Sequence, residues 1–323
     1  MSHEHERPVE PFSDLHVEEG HVRATLLHDP TVEGLDVALY IDGSGSMSEN
    51  YKERTVAHGG GLLYDLFGWG EAPTIETLPN AVEPQARWML EYLASKDRNG
   101  QLRCAYWACG KDGRKVEPLG ELTAADAKAT RFLGPRHFGQ FTVLTPALHD
   151  FRNYFEGQVA QGARQGCCVI ITDGQLHDAD EVKQWSRKLA QDIVRGKLPR
   201  VNLIMVGVGA GVNEEQLEDV CHEEYPGVGH LWCHRVAEEI KNIAELVAAL
   251  VDDTMTVAAG GTVYDDKGRV LKAYEGRLPA VLEFEVPEGC ESFTLEVGGQ
   301  RYTQPLPEEE HHDEDHDEDE DHH

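Results

Sequence analysis

The sequence predicts an α/β protein: a mostly parallel sheet covered by helices on both faces, followed by a small antiparallel β unit. Three observations lead there. Short apolar runs such as Val37-Ala38-Leu39-Tyr40-Ile41 and Val169-Ile170-Ile171 have the unbroken hydrophobicity of strands buried on both sides. Between such runs lie segments with apolar residues at helical spacing, clearest in Val182, Trp185, Leu189 and Ile193. Strands that alternate with helices in this way build a parallel sheet. From Thr254 onward the apolar period drops to two, as in Leu282, Phe284 and Val286 and again in Phe293, Leu295 and Val297.

Taken in order, residues 1–18 read as a mobile arm containing His and acids. A large domain then spans 19–252. Its first segment, 19–28, holds the alternating Val22, Ala24 and Leu26 and is a candidate strand for the β unit, since the two ends of a domain commonly lie close together. After the 37–41 strand, Ser48 to Leu66 reads as helical. It contains Gly59-Gly60-Gly61, each glycine costing about 1 kcal/mol relative to Ala, which predicts a broken or closely packed helix. Phe67 to Pro84, with Trp69, reads as a loop insertion.

A helix over Gln85–Ala94 carries Trp88, Met89 and Tyr92, and strands follow at Leu102–Ala108 and, as an edge, Val116–Leu122. Pro146–Phe155 and Glu181–Arg195 are helices on either side of the strand that ends at Asp173. Val201–Val208 is a strand, and Asn213 caps a helix over Glu214–His222. Gly229–Cys233 is a short strand and Val236–Val251 the last helix. The β unit covers 254–304, with a hairpin signal at Asp265-Asp266-Lys267-Gly268 and a second turn at Pro287-Glu288-Gly289. Residues 305–323 form an acidic, His-rich tail expected to be disordered.

Chemistry concentrates where these strands end. Asp42-Gly43-Ser44-Gly45-Ser46 follows the first apolar run, and in open α/β sheets the carboxyl ends of strands are where ligands bind. Its carboxylate and two hydroxyls stand at alternate positions, with glycines letting the backbone curl so that they converge. Val169 to Gly174 brings a second carboxylate, Asp173, to a strand end. Gly139 to Leu148 places the Thr142 hydroxyl in a loop before a helix, with Pro146 at its first turn. Thr145 reads as the cap of that helix. Oxygen donors of this kind suit a hard cation such as Mg²⁺, Mn²⁺ or Ca²⁺.

On these segments the chain resembles the von Willebrand factor A domain family, intracellular type, with its metal-ion-dependent adhesion site. D-x-S-x-S, a distant Thr and an Asp-Gly after a later strand occur in the family's order over roughly residues 35 to 252. The resemblance implies a three-layer Rossmann-like fold and a metal set of Asp42, Ser44, Ser46, Thr142 and Asp173. It also implies one coordination position open to a carboxylate from a partner. The family usually has Gly-Gly before its Thr, where this chain has Gln140-Phe141. By analogy with intracellular members, an adaptor or co-subunit beside an AAA-type ATPase or in a bacterial stress assembly is implied.

Composition narrows the remaining classes. The formal charge is −30, of which eleven units sit in Glu308–His323, leaving −19 for the rest. That balance excludes nucleic acid and anionic membranes as partners and favours partners that are neutral or basic overall, or joined through the metal. Seven cysteines make no disulfide framework, and neither a secretory signal nor a bilayer-spanning run is present in the sequence, so cytoplasm is the expected address. Val206 to Gly211 lacks the spacing of a dinucleotide loop. Cys221, His222, His230, Cys233 and His234 carry zinc-ligand chemistry without a finger's spacing and read as buried thiols.

The sequence therefore reads as a non-enzymatic, divalent-metal-dependent protein-binding module. One alternative is metal buffering or sensing by the tail, whose His311, His312, His316, His322 and His323 form a weak second metal-binding set. Another is a self-associating scaffold with an idle metal site.

Overall fold

A computed structural model of the chain describes residues 9–26, 34–58, 74–78, 80–258 and 260–307. The tail histidines, the 59–61 glycine run and Trp69 lie outside the described residues. The chain divides into two compact units, 29–254 and the combination of 1–28 with 255–323.

The smaller unit opens with β1 (Phe12–Glu18) and β2 (His21–Leu26). The larger unit contains β3 (Leu35–Asp42), the antiparallel pair β4 (Arg54–His58) and β5 (Thr74–Leu78), and α1 (Val82–Lys96). It continues through β6 (Gln101–Cys109), β7 (Lys115–Thr123), α2 (Thr145–Val159), β8 (Gln165–Thr172) and α3 (Ala179–Val194). Then come β9 (Arg200–Val208), α4 (Glu214–Cys221), the short β10 (Glu224–Tyr225) and β11 (Gly229–His230), β12 (Trp232–Ala237) and α5 (Ile243–Thr254).

Six of these strands form the central sheet in the order β12-β9-β8-β3-β6-β7. All neighbours are parallel except β6 and β7, so β7 is the antiparallel edge strand. Alternate residues show why the runs are apolar throughout. Tyr40, Ile170, Leu203 and Met205 face a core shared with Phe151 and Phe155 of α2, Trp185 and Leu189 of α3, and Leu217 of α4. Their neighbours Leu39, Ile41, Val169, Ile171 and Ile204 are equally buried but lie outside that cluster, on the other face. There α1 and α5 pack on one another, α1 against β3 and β6 and α5 against β9 and β12. The result is three layers, with β3 in the middle of the sheet and all eight of its residues buried.

One charged pair fixes the start of β3. Asp36 is fully buried, and Arg98, just after α1, grips it with Nε–Oδ2 at 2.9 Å and Nη2–Oδ1 at 3.1 Å. Burial raises the Asp36 pKa and the Arg98 hydrogen bond and charge oppose that rise. Beside it the Asp97 carboxylate accepts the Val37 amide at 2.8 Å, and burial pushes its pKa up to about 6.

In the smaller unit, β13 (Thr256–Ala258), β14 (Gly261–Asp265), β15 (Val270–Tyr274) and β16 (Leu278–Pro279) precede β17 (Val281–Glu285), β18 (Ser292–Val297) and β19 (Gln300–Pro305). One sheet runs β1-β2-β17, another β15-β14-β18-β19. Between them Val22, Ala24, Leu282 and Phe284 meet Val263, Phe293 and Leu295, with Phe284 and Phe293 edge to face at 4.9 Å.

Three sequence expectations are corrected. Residues 12–18, expected within the arm, form a strand paired along its length with β2; only Phe12 is fully buried, so its polar outer flank concealed the alternation. Of the helix expected over Ser48–Leu66, the described part, to His58, is a 3₁₀ turn at Gly45–Tyr51 followed by β4, in a stretch whose β-branched Thr55 and Val56 favour extension; 59–66 lie outside the described residues. The helix expected from Val236 starts at Ile243, because Val236 continues β12 in register with Gly207. The two runs flanking Pro287–Gly289, expected within a small sandwich-like unit, lie in different sheets with their apolar sides facing each other across the core.

Replacing Arg98 with Met leaves the buried Asp36 carboxylate without its partner and is expected to lower stability at neutral pH by about 3 kcal/mol. Urea denaturation measures this, and the deficit should shrink in acid, where Asp36 takes up a proton.

Candidate metal centre

Strand β3 ends by delivering Asp42 into the protein interior, where its side chain has no exposure. Its Oδ1 accepts the Ser44 amide at 2.7 Å, closing a tight Asx turn, and its Oδ2 accepts the Thr172 hydroxyl from the end of β8 at 2.8 Å. The Asp42 carbonyl accepts the Tyr51 hydroxyl at 2.8 Å, which ties the following 3₁₀ turn back to the strand. The turn is crowded. A Cβ on Gly43 would lie 2.8 Å from Pro135 Cγ and 3.0 Å from both Cys109 Sγ and the Trp107 carbonyl.

A second segment is laced to this loop. Gly45 N–H donates to the Gly139 carbonyl at 2.7 Å and Gly139 N–H to the Gly43 carbonyl at 3.0 Å. Gly139 itself has no room for a side chain, its notional Cβ lying 2.0 Å from the Ala108 carbonyl. Three residues on, Thr142 is buried and locked at its backbone. Its amide donates to His177 Nδ1 at 3.0 Å and its carbonyl accepts the His177 amide at 2.9 Å.

The functional side chains then meet. Ser44 Oγ and Ser46 Oγ are 2.9 Å apart, and Ser46 Oγ donates to Asp173 Oδ1 at 2.6 Å. Thr142 Oγ1 and Ser46 Oγ lie 3.7 and 3.9 Å from where a Cβ of Gly174 would stand, so both hydroxyls border that glycine. The structure therefore gathers Asp42, Ser44, Ser46, Thr142 and Asp173 around one mouth, with Gly45 and Ser46 exposed on its solvent side. Thr145 does not cap α2 with its own side chain. Asp178 does so from the next loop, accepting the amides of Leu144 and Thr145 at 2.9 and 2.7 Å and the Thr145 hydroxyl at 2.6 Å.

Thr172, Tyr51, Gly139, His177 and Asp178 went unassigned in the sequence. Only Thr172, adjacent to Asp173, stood where a motif pointed. Phe141, in place of a glycine before Thr142, is 48% exposed and meets His177 edge to face at 5.3 Å.

Electrostatics mark the site as short of positive charge. Burial, and then the neighbouring Asp173, push Asp42 up to about 6, although Ser44 and Thr172 hydrogen bonds pull it down. Burial raises Asp173 as well, against the hydrogen bond from Ser46. Among the described residues no three His, Cys, Asp or Glu side chains gather as a metal cage, and that includes the Cys221–His234 region, where the His222 and His234 rings stand 6.2 Å apart. The donor set here is of another kind: two carboxylates in mutual repulsion and three hydroxyls, of which Thr142 Oγ1 has no hydrogen-bond partner among the described residues. Hard oxygens with uncompensated negative charge fit a divalent ion such as Mg²⁺ or Mn²⁺.

Two outcomes follow. Above its folded-state value near 6, the Asp42 charge destabilises the metal-free protein. As pH falls from there toward the ordinary 3.8, the folded state holds a proton that the unfolded chain has released, so stability is regained. Melts in chelator should show this gain in the parent and lose that share of it in Asp42→Asn. The glycines separate by available space. Gly139→Ala should destabilise the fold by about 2 kcal/mol or more, whereas Gly174→Ala, meeting nothing closer than 3.7 Å, should melt like the parent.

No family model matches the chain, and no curated protein does. Solved structures are similar to it, two of them as follows. The manganese-loaded TRAP protein of Plasmodium vivax is 14% identical, with 92% of this chain and 94% of that one covered and a TM-score of 0.39. The SpRpn10 VWA domain is 10% identical, with 66% and 93% covered and a TM-score of 0.40. By its own strand order, a parallel sheet with one antiparallel edge and the Asp42 loop at the carboxyl end of its middle strand, the 29–254 unit has a von Willebrand factor A-type fold.

Proposed function

We propose that this chain is a divalent-metal-dependent protein-binding module. Asp42, Ser44, Ser46, Thr142 and Asp173 hold Mg²⁺ or Mn²⁺, or Ca²⁺ where it prevails, and a partner's Asp or Glu supplies a further oxygen from the solvent side. The observation that carries this reading is the unbroken Ser44–Ser46–Asp173 hydroxyl–carboxylate chain at the mouth, above a buried Asp42 carboxylate that, among the described residues, makes no ion pair. A bound divalent ion supplies that missing charge and acts as a Lewis acid toward an incoming carboxylate. The protein's own part is to hold the oxygens in place: Thr172 and the Ser44 amide orient Asp42, and the 134–139 segment clamps the loop.

Binding fits this site better than hydrolysis. His177, the imidazole beside Thr142, uses its Nδ1 lone pair to accept the Thr142 amide, which makes it a strut for the loop. Exposed Phe141 next to Thr142 gives the rim an aromatic anchor of the sort that dominates interface energetics. The acidic balance of the chain favours a partner that is neutral or basic overall. A cytoplasmic adaptor or co-subunit role, beside an AAA-type ATPase or a stress-complex subunit, is the setting we infer. Among the described residues, no helix is long and apolar enough to cross a membrane.

Calorimetric titration with Mn²⁺ tests the site. The parent should bind one ion. Asp42→Asn, which can still accept the Ser44 amide, should weaken binding by more than the roughly 10–100-fold that loss of a group merely supporting a ligand costs. Ser46→Ala provides a second, exposed position whose folding is not at issue. Equal heats for the parent and both variants would refute the assignment.

A further inference from the structure

Beside the metal loop, on the antiparallel edge of the sheet, lies a cleft of about 670 Å³ between the β6–β7 turn and the 134–137 segment. Lys111, Lys115, Arg136, Tyr106, Glu117 and His137 line it. Its charge runs against that of the rest of the molecule. Several arginines elsewhere are engaged, as in Arg103–Asp150, Arg152–Asp192 and Arg187–Glu223. Among the described residues, the side chains of Lys111, Lys115 and Arg136 make no ion pair and no hydrogen bond. Three unpaired cations thus converge in one cleft of a chain with net charge −30.

The cleft and the metal loop share a frame. Gly110 N–H donates to the His137 carbonyl at 2.8 Å, and the Lys115 stem lies over Gly110, 2.9 Å from where a Cβ would stand. Two residues beyond His137, Gly139 exchanges backbone hydrogen bonds with Gly43 and Gly45. The segment that lines the cleft is thus tied by backbone hydrogen bonds to the loop that carries Ser44 and Ser46.

We infer that this cleft is the second half of the partner-binding surface and that it takes a short acidic segment of a protein partner. One carboxylate of that segment reaches the metal and the next lies against Lys111, Lys115 and Arg136. This rests on the metal-dependent reading above. Carboxylate suits the cleft better than phosphate does. Three of the backbone donors there are already used: Gly110 N–H by the His137 carbonyl, Gly113 N–H by the Gly110 carbonyl at 2.9 Å, and Arg136 N–H by Glu117 Oε2 at 2.9 Å. Long-range repulsion from the acidic chain confines this recognition to the cleft, so the partner is acidic locally and not overall.

The test is fluorescence anisotropy on the full chain, with a fluorescein-labelled peptide of alternating glutamate and serine and a matched phosphoserine peptide, in Mn²⁺ and in chelator. The glutamate peptide should bind in Mn²⁺. The variant carrying Lys111→Gln, Lys115→Gln and Arg136→Gln should bind it about tenfold more weakly and with a flatter salt dependence. Its Mn²⁺ heat and melting temperature should be unchanged. Chelator-sensitive binding that is equal in parent and variant would overturn the cleft and leave the metal reading intact. Chelator-insensitive binding that the variant loses would do the reverse. Preference for phosphoserine, or no binding of either peptide by the parent, would overturn the inference.

Discussion

A carboxylate placed at the end of a buried central strand has to be justified by its surroundings, and in this protein most of the local architecture answers to Asp42. Water is excluded from it, and desolvation alone would favour the neutral acid. The Ser44 amide and the Thr172 hydroxyl partly compensate. In doing so they shape the loop: accepting the Ser44 amide turns the chain so that Ser44 and Ser46 present their hydroxyls toward the same mouth as Asp173. The Tyr51 hydroxyl on the Asp42 carbonyl then closes the turn from behind. One buried charge thereby organises a strand end, a loop and the start of the next segment.

Precision at such a site comes from crowding as much as from hydrogen bonds. Gly43 and Gly139 stand where backbones approach too closely for any side chain, so the two loops behave as a single laced piece. Asp178 secures the far end by satisfying the first amides of α2, groups that a helix cannot satisfy internally. The side chains at the mouth are therefore held in place by the fold itself. The same lacing ties the cation-lined cleft on β6 and β7 to the metal loop's neighbouring segment.

The sheet was legible because its strands are buried on both sides, which leaves runs such as Val169-Ile170-Ile171 that no amphipathic helix would show. The site was legible for a related reason: polar residues at the ends of such runs cannot be explained by packing. What misled was the local pattern where tertiary pairing overrides it. Val236 looks like the first turn of an apolar helix but is claimed by the edge of β9, and Phe12, Leu15 and Val17 look like an arm until β2 lies beside them. The Pro287–Gly289 segment carries turn chemistry and crosses from one sheet of the sandwich to the other, where Phe284 and Phe293 meet edge to face.

By itself the sequence determined the α/β class, the positions of the central strands, and the identity of the five oxygen-bearing residues, since each of these is written in short-range pattern and residue chemistry. Only the tertiary structure decided that those residues meet. It alone showed that Thr172 and His177 orient them, that Asp178 rather than Thr145 caps α2, and that Lys111, Lys115 and Arg136 share a cleft. The reason is physical. Proximity between residues far apart in the chain is set by strand order and by the space left after packing, and neither quantity is carried by any local stretch of sequence.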